Sequence, residues 1–161
     1  MTLGSPTLTV VHVIISLIGI LSGFVIVFGM MAGRRLGGWN AIFLTTTVLT
    51  SVTGFVFFPF HGVTPGIILG ILSLIALGIA LFARYTRQLT GGWRRTYAIA
   101  AVIALYFNVF VLIAQLFEKV PALHELAPTQ KEPPFLVAQI TCMVVFIILG
   151  IFSVRGFRAG Q

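Results

Sequence analysis

Three histidines offer the most versatile chemistry in this 161-residue chain: His12, His61 and His124. A neutral imidazole binds haem iron or a transition metal, and it also donates or accepts hydrogen bonds. Three further polar residues could share a site with them: Gln115, Glu118 and Gln139. No local spacing such as His-xxx-His links the histidines, so only the fold could bring these side chains together.

Four kinds of arrangement are open to these residues. His12 and His61 could be the axial ligands of a b-type haem, with Gln115 and Gln139 as further contacts to it. Alternatively, His12 and His61 could bind zinc or copper together with His124 or Glu118. A third arrangement is a pocket for a quinone or another small amphipathic molecule. In the fourth, the polar groups bond only to one another, to interfacial water and to lipid headgroups.

The signatures of an enzyme are missing from the sequence. The chain has no aspartate, no glycine-rich phosphate-binding loop and no nucleophile with a nearby base. The single cysteine, Cys142, lies within an apolar run, which raises the pKa of a thiol and makes it unreactive. We therefore predict no catalytic residues, and we expect a non-catalytic or accessory redox protein that holds haem b or a transition metal.

The elements that would position these residues follow from composition. Charged residues make up 8% of the chain and hydrophobic residues 58%, and the mean hydropathy is +1.11. About a quarter of a typical soluble domain is charged, so this chain cannot build a polar surface. The net charge of +7 comes from basic residues in short loops between apolar runs. The sequence therefore predicts an integral membrane protein and no nucleic-acid partner.

Five apolar stretches are long enough to cross the bilayer as helices, which takes about 20 residues. They cover residues 8–33, 39–60, 64–85, 96–119 and 135–157, and residues 119–134 form a proline-rich loop. Pro65 suits the first turn of its helix, whereas Pro59 should stop or kink the second span. The predicted fold is a single all-α domain, a bundle of five transmembrane helices.

The basic residues predict the orientation of this bundle. All eight arginines fall on one side of a five-span topology, and both lysines and all three glutamates fall on the other. By the positive-inside rule the arginine side is cytoplasmic. The N-terminus is then outside and the C-terminus inside, and the three histidines lie toward the outer face. His12 would be one helical turn below the outer surface, near His61, Gln115, Glu118 and Gln139.

Small and polar side chains recur at helical spacing in each span, as in the Gly19 to Gly23 pair of the first. Such stripes are typical of helix packing in lipid, where close approach and interhelical hydrogen bonds drive association. Asn108, near mid-membrane, should also find an interhelical partner. A structural or assembly subunit, packed against other membrane subunits or a second copy of the chain, is therefore an alternative function. A small-solute transporter is disfavoured because no ionisable residue lies at mid-membrane.

Most of the chain resembles a loose class of small polytopic bacterial inner-membrane proteins with a domain of unknown function. The resemblance lies in a Ser/Gly stripe from His12 to Gly23, the basic loop at residues 33–37, a threonine-rich second span and a third span opening on Gly66 and Gly70. Members often have a further histidine in the first cytoplasmic loop, where this chain has glycines and Trp39. The resemblance implies a multi-pass protein of the bacterial inner membrane and no established activity.

Overall fold

The chain folds almost entirely into α-helices. The computed structural model describes residues 6–57 and 65–159. The helices are α1 (Pro6–Met31), α2 (Gly37–Phe57), α3 (Pro65–Leu81), α4 (Trp93–Lys119), α5 (Pro121–Leu126) and α6 (Pro133–Ala159). A single π-helical turn, Phe82–Thr86, continues α3. Five long helices and one short one therefore form an all-α fold over the described ranges.

Four segments are long and apolar enough to cross a membrane: Thr7–Met31, Ile67–Thr86, Trp93–Lys119 and Pro133–Phe157. They contain 20 to 27 residues, which matches the hydrocarbon thickness of a bilayer. Their outward faces carry large apolar side chains, including Leu21 and Val137, which are 69% and 62% exposed. Lipid suits such a surface and water does not. The chain is therefore a multi-pass membrane protein.

Helices α1 and α4 occupy the middle of the bundle. Helix α1 packs against α2, α4 and α6, and α4 also packs against α3 and α6. The buried face of α4 is rich in alanine, with Ala98, Ala101 and Ala104 completely inaccessible. Small side chains at these positions let neighbouring helices approach closely, as expected for the small residues of the fourth span.

Two glycines mark the closest approaches between helices. A Cβ atom at Gly23 in α1 would lie 2.5 Å from Leu105 Cδ1 of α4 and 3.0 Å from Phe43 Cε1 of α2. A Cβ atom at Gly156 in α6 would overlap the backbone of Met31, at the end of α1. The predicted role of Gly23 in packing is confirmed, and Gly156 brings the last helix against the first.

The two ends of the bundle differ in charge. The arginine end contains the 32–36 loop, the π turn and 87–92 loop, and the last turns of α6. Arg84 Nη2 donates to the carbonyl oxygen of Arg35 at 3.0 Å, which joins the first two of these segments. The cap end contains α5 and residues 127–132, where Gln130 Nε2 donates to the carbonyl oxygen of Ala114 at 2.9 Å. Within the predicted proline-rich loop, Pro121–Leu126 forms the short helix α5.

Helix α4 begins three residues earlier than the fourth predicted span, because Arg94 and Arg95 belong to its first turn. Arg94 is only 3% exposed and packs against Phe157, so hydropathy alone placed this helix end too late. The other long helices agree with the predicted spans to within about one turn. Pro59 and His61 lie outside the described residues.

Candidate functional site

A cavity of about 450 Å³ opens between α1, α2, α3 and α4 in the half of the bundle nearer the cap end. Ligand pockets in proteins typically measure about 300–1,000 Å³. Most of the wall is apolar, with Val13, Ile20, Phe55 and Leu112 among its residues. The polar residues of the wall are Thr9, His12, Ser16, Thr50, Ser51, Ser73, Asn108, Gln115 and Lys119. The cavity thus combines an apolar body with a limited set of hydrogen-bonding groups.

His12 is held in place by α2. Its Nδ1 atom lies 2.8 Å from the Thr53 hydroxyl oxygen, which also lies 2.6 Å from the carbonyl oxygen of Leu49. A hydroxyl has one proton, and the shorter bond to Leu49 uses it, so this geometry favours donation from Nδ1 to Thr53. In the neutral imidazole Nε2 is then the acceptor nitrogen. Thr53 therefore orients the ring and sets which nitrogen accepts.

The serines of the wall are already hydrogen-bonded within the protein. Ser16 Oγ donates to the carbonyl oxygen of Val13 at 2.8 Å, and Ser51 Oγ donates to Ser73 Oγ at 3.4 Å across α2 and α3. A hydroxyl that already has a hydrogen-bond partner can line an apolar cavity with little loss of stability. Asn108, Gln115 and Lys119 are the other polar side chains that α4 contributes to the wall, and they could contact a ligand.

Asn108 is the polar residue of the wall nearest the middle of the bundle. Its Nδ2 atom is buried, and none of the described residues accepts a hydrogen bond from it. The interhelical bond predicted for Asn108 is therefore not made by this nitrogen within the described ranges. An amide without a partner in an apolar setting is costly, so Nδ2 is a donor that an oxygen-bearing ligand could satisfy.

The cavity wall nearest the cap end is positively charged. Lys119, the last residue of α4, lines it and lies close enough to His12 for their charges to interact. None of the described wall residues is acidic. Glu118 is exposed and lies about 100° around α4 from Lys119, outside the wall. This arrangement suits a neutral or anionic polar group on a ligand.

The predicted site residues divide into three groups. His12 and Gln115 line the cavity, whereas Glu118, His124 and Gln139 do not. His124 is exposed on α5, and Gln139 Nε2 donates to the carbonyl oxygen of Phe110 at 3.2 Å, between α6 and α4. His61 lies outside the described residues. Within the described ranges, no three His, Cys, Asp or Glu residues are grouped closely enough to hold a metal ion.

Sequence reasoning missed Lys119 and Thr53 as parts of this site, and it assigned Asn108 and the serines to helix packing. The sequence did contain a signal for the cavity. Small and hydroxyl residues occur at equal depth in three adjacent spans, where they leave space between the helices. No known protein family, curated protein or solved structure matches this chain. The resemblance to small bacterial inner-membrane proteins is therefore not tied to an identified family.

Proposed function

We propose that this protein crosses the bacterial inner membrane five times, with its N-terminus outside and its C-terminus in the cytoplasm. The 21 residues of α2 would span about 31 Å, enough for the hydrocarbon core. Its threonines donate to carbonyl oxygens of their own helix, as in Thr46 to Ile42 at 2.6 Å and Thr50 to Thr46 at 2.8 Å. Hydroxyls satisfied in this way make a threonine-rich helix compatible with lipid.

We further propose that the protein binds a small amphipathic molecule in the cavity between α1 and α4. The observation that carries this proposal is the cavity itself, a space of about 450 Å³ that is mostly apolar and contains few polar groups. Such a site accepts an apolar body and fixes its orientation through one or two hydrogen bonds. The polar residues of the wall come from all four helices, so a polar group on the ligand could bond to them while its apolar part contacts the rest of the wall.

A quinone fits this description. Its ring carries two carbonyl oxygens that accept hydrogen bonds, and its tail is a hydrocarbon. Asn108 Nδ2 and the Lys119 ammonium are donors that line opposite parts of the cavity along α4. Eleven residues separate them, about 16 Å at helical rise, so one quinone ring would use one donor and its tail would extend toward the other. Binding alone would make the protein an accessory factor and not a catalyst.

A b-type haem or a transition metal remains a second candidate, supported by one observation. His12 lies in the cavity wall with Nδ1 bonded to Thr53, and such bonds commonly orient the histidines that bind metals through Nε2. The other ligand would be His61, as the sequence predicts. A Soret band in the purified protein that His12→Ala or His61→Ala abolishes would support haem, and metal found by elemental analysis would support a metal site.

The test of small-molecule binding uses protein purified in mild detergent. Mass spectrometry identifies small molecules that co-purify, and isothermal titration measures binding of ubiquinone-1. Ser16→Leu should fill the cavity, since Ser16 bonds only within its own helix among the described residues. We expect this variant and Asn108→Leu to weaken binding at least tenfold, or about 1.4 kcal/mol. Val10→Leu is the matched control, because Val10 lies on α1 outside the cavity and is 56% exposed.

Equal retention of co-purified molecules and equal affinity for ubiquinone-1 in the Ser16→Leu variant and the wild type would refute the cavity as the binding site. A preparation without bound small molecule, haem or metal, but with a stoichiometric partner protein, would instead favour a structural or assembly subunit.

A further inference from the structure

The arginine end contains a buried guanidinium without an acidic partner. Arg94, in the first turn of α4, is only 3% exposed. Its Nε donates to the carbonyl oxygen of Phe157 at 2.9 Å, and its guanidinium carbon lies 4.1 Å from the centre of the Phe157 ring. The Nη2 nitrogen is buried and has no hydrogen-bond partner among the described residues. Arg94 thus has a buried donor that no described residue uses.

A second guanidinium packs on the aromatic ring that neighbours Phe157. Arg84, in the π turn, is half-buried, and its guanidinium carbon lies 5.3 Å from the centre of the Tyr97 ring. The Tyr97 ring in turn lies 6.1 Å from the Phe157 ring on which Arg94 packs. The two arginines therefore pack on neighbouring aromatic rings; we call Arg84, Arg94, Tyr97 and Phe157 the cluster, and Arg84 is its partly exposed arginine.

Arg84 is held by one hydrogen bond to the backbone of the 32–36 loop. Its Nη2 donates to the carbonyl oxygen of Arg35, which also accepts a bond from Asn40 Nδ2 at 2.6 Å. Asn40 is buried, so the carbonyl and the guanidinium bound to it are held between α1, α2 and the π turn. Because the cluster is preorganised, a ligand would meet donors that are already in place.

The cluster has no acidic side chain to neutralise it. The three acidic residues of the whole sequence are Glu118, Glu125 and Glu132, and all of them belong to the cap end or the end of α4 beside it. Arg35 instead adds a third positive charge close enough to act on Arg94. Burying a guanidinium without a counter-ion is unfavourable, so an anion from outside the chain would stabilise this end.

We propose that the arginine end binds a phosphate group through Arg84 and Arg94, beside the exposed Arg35. The planar guanidinium matches the geometry of phosphate oxygens and can donate two parallel hydrogen bonds. The phosphate belongs either to an anionic lipid at the membrane surface or to free inorganic phosphate. Lysine, a point charge, could not reproduce this planar arrangement.

The experiment uses delipidated full-length protein in a neutral detergent. Isothermal titration is carried out with dioctanoyl phosphatidic acid, with dioctanoylglycerol, which lacks the phosphate, and with inorganic phosphate. We expect the phosphatidic acid to bind the wild type at least tenfold more tightly than dioctanoylglycerol does. Arg84→Gln and Arg94→Lys should each lose at least tenfold in this affinity. Arg155→Gln is the matched control, an exposed arginine at the same end, and should bind as the wild type does.

Two results would support the site and identify the source of the phosphate. Tight binding of phosphatidic acid alone assigns it to a lipid headgroup, and similar binding of inorganic phosphate assigns it to the free ion. Because Arg94 is buried, circular dichroism checks that its variant folds; if it does not, the variant of the half-buried Arg84 decides the test. If phosphatidic acid binds no better than dioctanoylglycerol, or if Arg84→Gln and Arg155→Gln bind alike, the proposal is overturned.

Discussion

Side-chain hydroxyls in this protein bond mostly to their own helices, and this explains how α2 can be both threonine-rich and closely packed. Thr46, Thr50 and Thr53 each donate to the carbonyl oxygen four residues earlier, at 2.6 to 2.8 Å. Thr53 then accepts from His12, so a single hydroxyl joins the helix backbone to the cavity wall. These three hydroxyls are satisfied by the backbone of α2, whereas the Thr47 hydroxyl is buried without a partner among the described residues.

The hydrogen bonds of the Glu132 carboxylate, just before α6, should make the local stability of this segment depend on pH. The Thr129 hydroxyl donates to its carboxylate at 2.7 Å and holds the pKa of this carboxyl below its usual range. The backbone N–H groups of Thr129 and Lys131 also donate to it. A carboxyl with a lowered folded-state pKa stabilises the fold above its unfolded pKa of about 4.3, and this contribution is lost as pH falls through the folded value.

The measurement is hydrogen exchange of the Thr129 and Lys131 amides between about pH 7 and pH 3. Their protection factors should fall at the acidic end of this range, and Glu132→Gln should give low protection throughout. Glu125→Gln, at an exposed carboxylate on α5, is the control and should behave as the wild type does. Protection that is independent of pH in the wild type would contradict the prediction.

At the scale of helices, substitution of two glycines by alanine should have different effects on the stability of the protein. Gly156→Ala would place a Cβ against the backbone of Met31, which cannot rotate away, and should destabilise the protein by about 1–3 kcal/mol. Gly78→Ala, in α3, has no atom within 4 Å of its Cβ position. It should leave stability unchanged or raise it by up to about 1 kcal/mol through helix propensity.

Unfolding of both variants by titration with sodium dodecyl sulfate would measure this difference. The pair separates the effect of helix packing from the general effect of losing a glycine in a helix. Equal stability of the two variants would show that α6 does not pack on α1 through Gly156.

The sequence predicted the helices better than it predicted their ends. Long apolar runs with few charges are sufficient to locate a membrane helix. In lipid, a single segment can satisfy its own backbone hydrogen bonds only by forming a helix. The beginning of α4 was misplaced because Arg94 is buried by a contact with Phe157, 63 residues away. The π turn at Phe82–Thr86 was likewise not predicted, since hydropathy does not distinguish it from α-helix.

For the whole molecule, the number of spans determines where the ends lie. Five spans place the termini on opposite sides of the membrane, whereas α1, α3, α4 and α6 alone would place them on the same side. We expect green fluorescent protein to fluoresce when it is fused to the C-terminus and alkaline phosphatase to be inactive there. At the N-terminus we expect the opposite result: alkaline phosphatase should be active there, and green fluorescent protein should not fluoresce, because this end lies outside the cytoplasm. Termini in one compartment would exclude α2 as a span.

The candidate site was only partly predictable from the sequence. Depth in the membrane follows from distance along a helix, and His12 and Gln115, which the sequence places at similar depth, both line the cavity. The rotation of each helix depends on packing with its neighbours, so the sequence could not tell that Gln139 bonds to the backbone of α4 outside the cavity. Lys119 was assigned to topology alone, although its position four residues after Gln115 places both on one face of α4.

The contact between Gly156 and Met31 also bears on how the protein is made. Met31 emerges from the ribosome well before Gly156, which follows it by 125 residues. Because α6 packs on both α1 and α4, this part of the bundle cannot form until α6 has been synthesised. Until then, the face of α1 that α6 covers, with its small residues, is exposed to lipid.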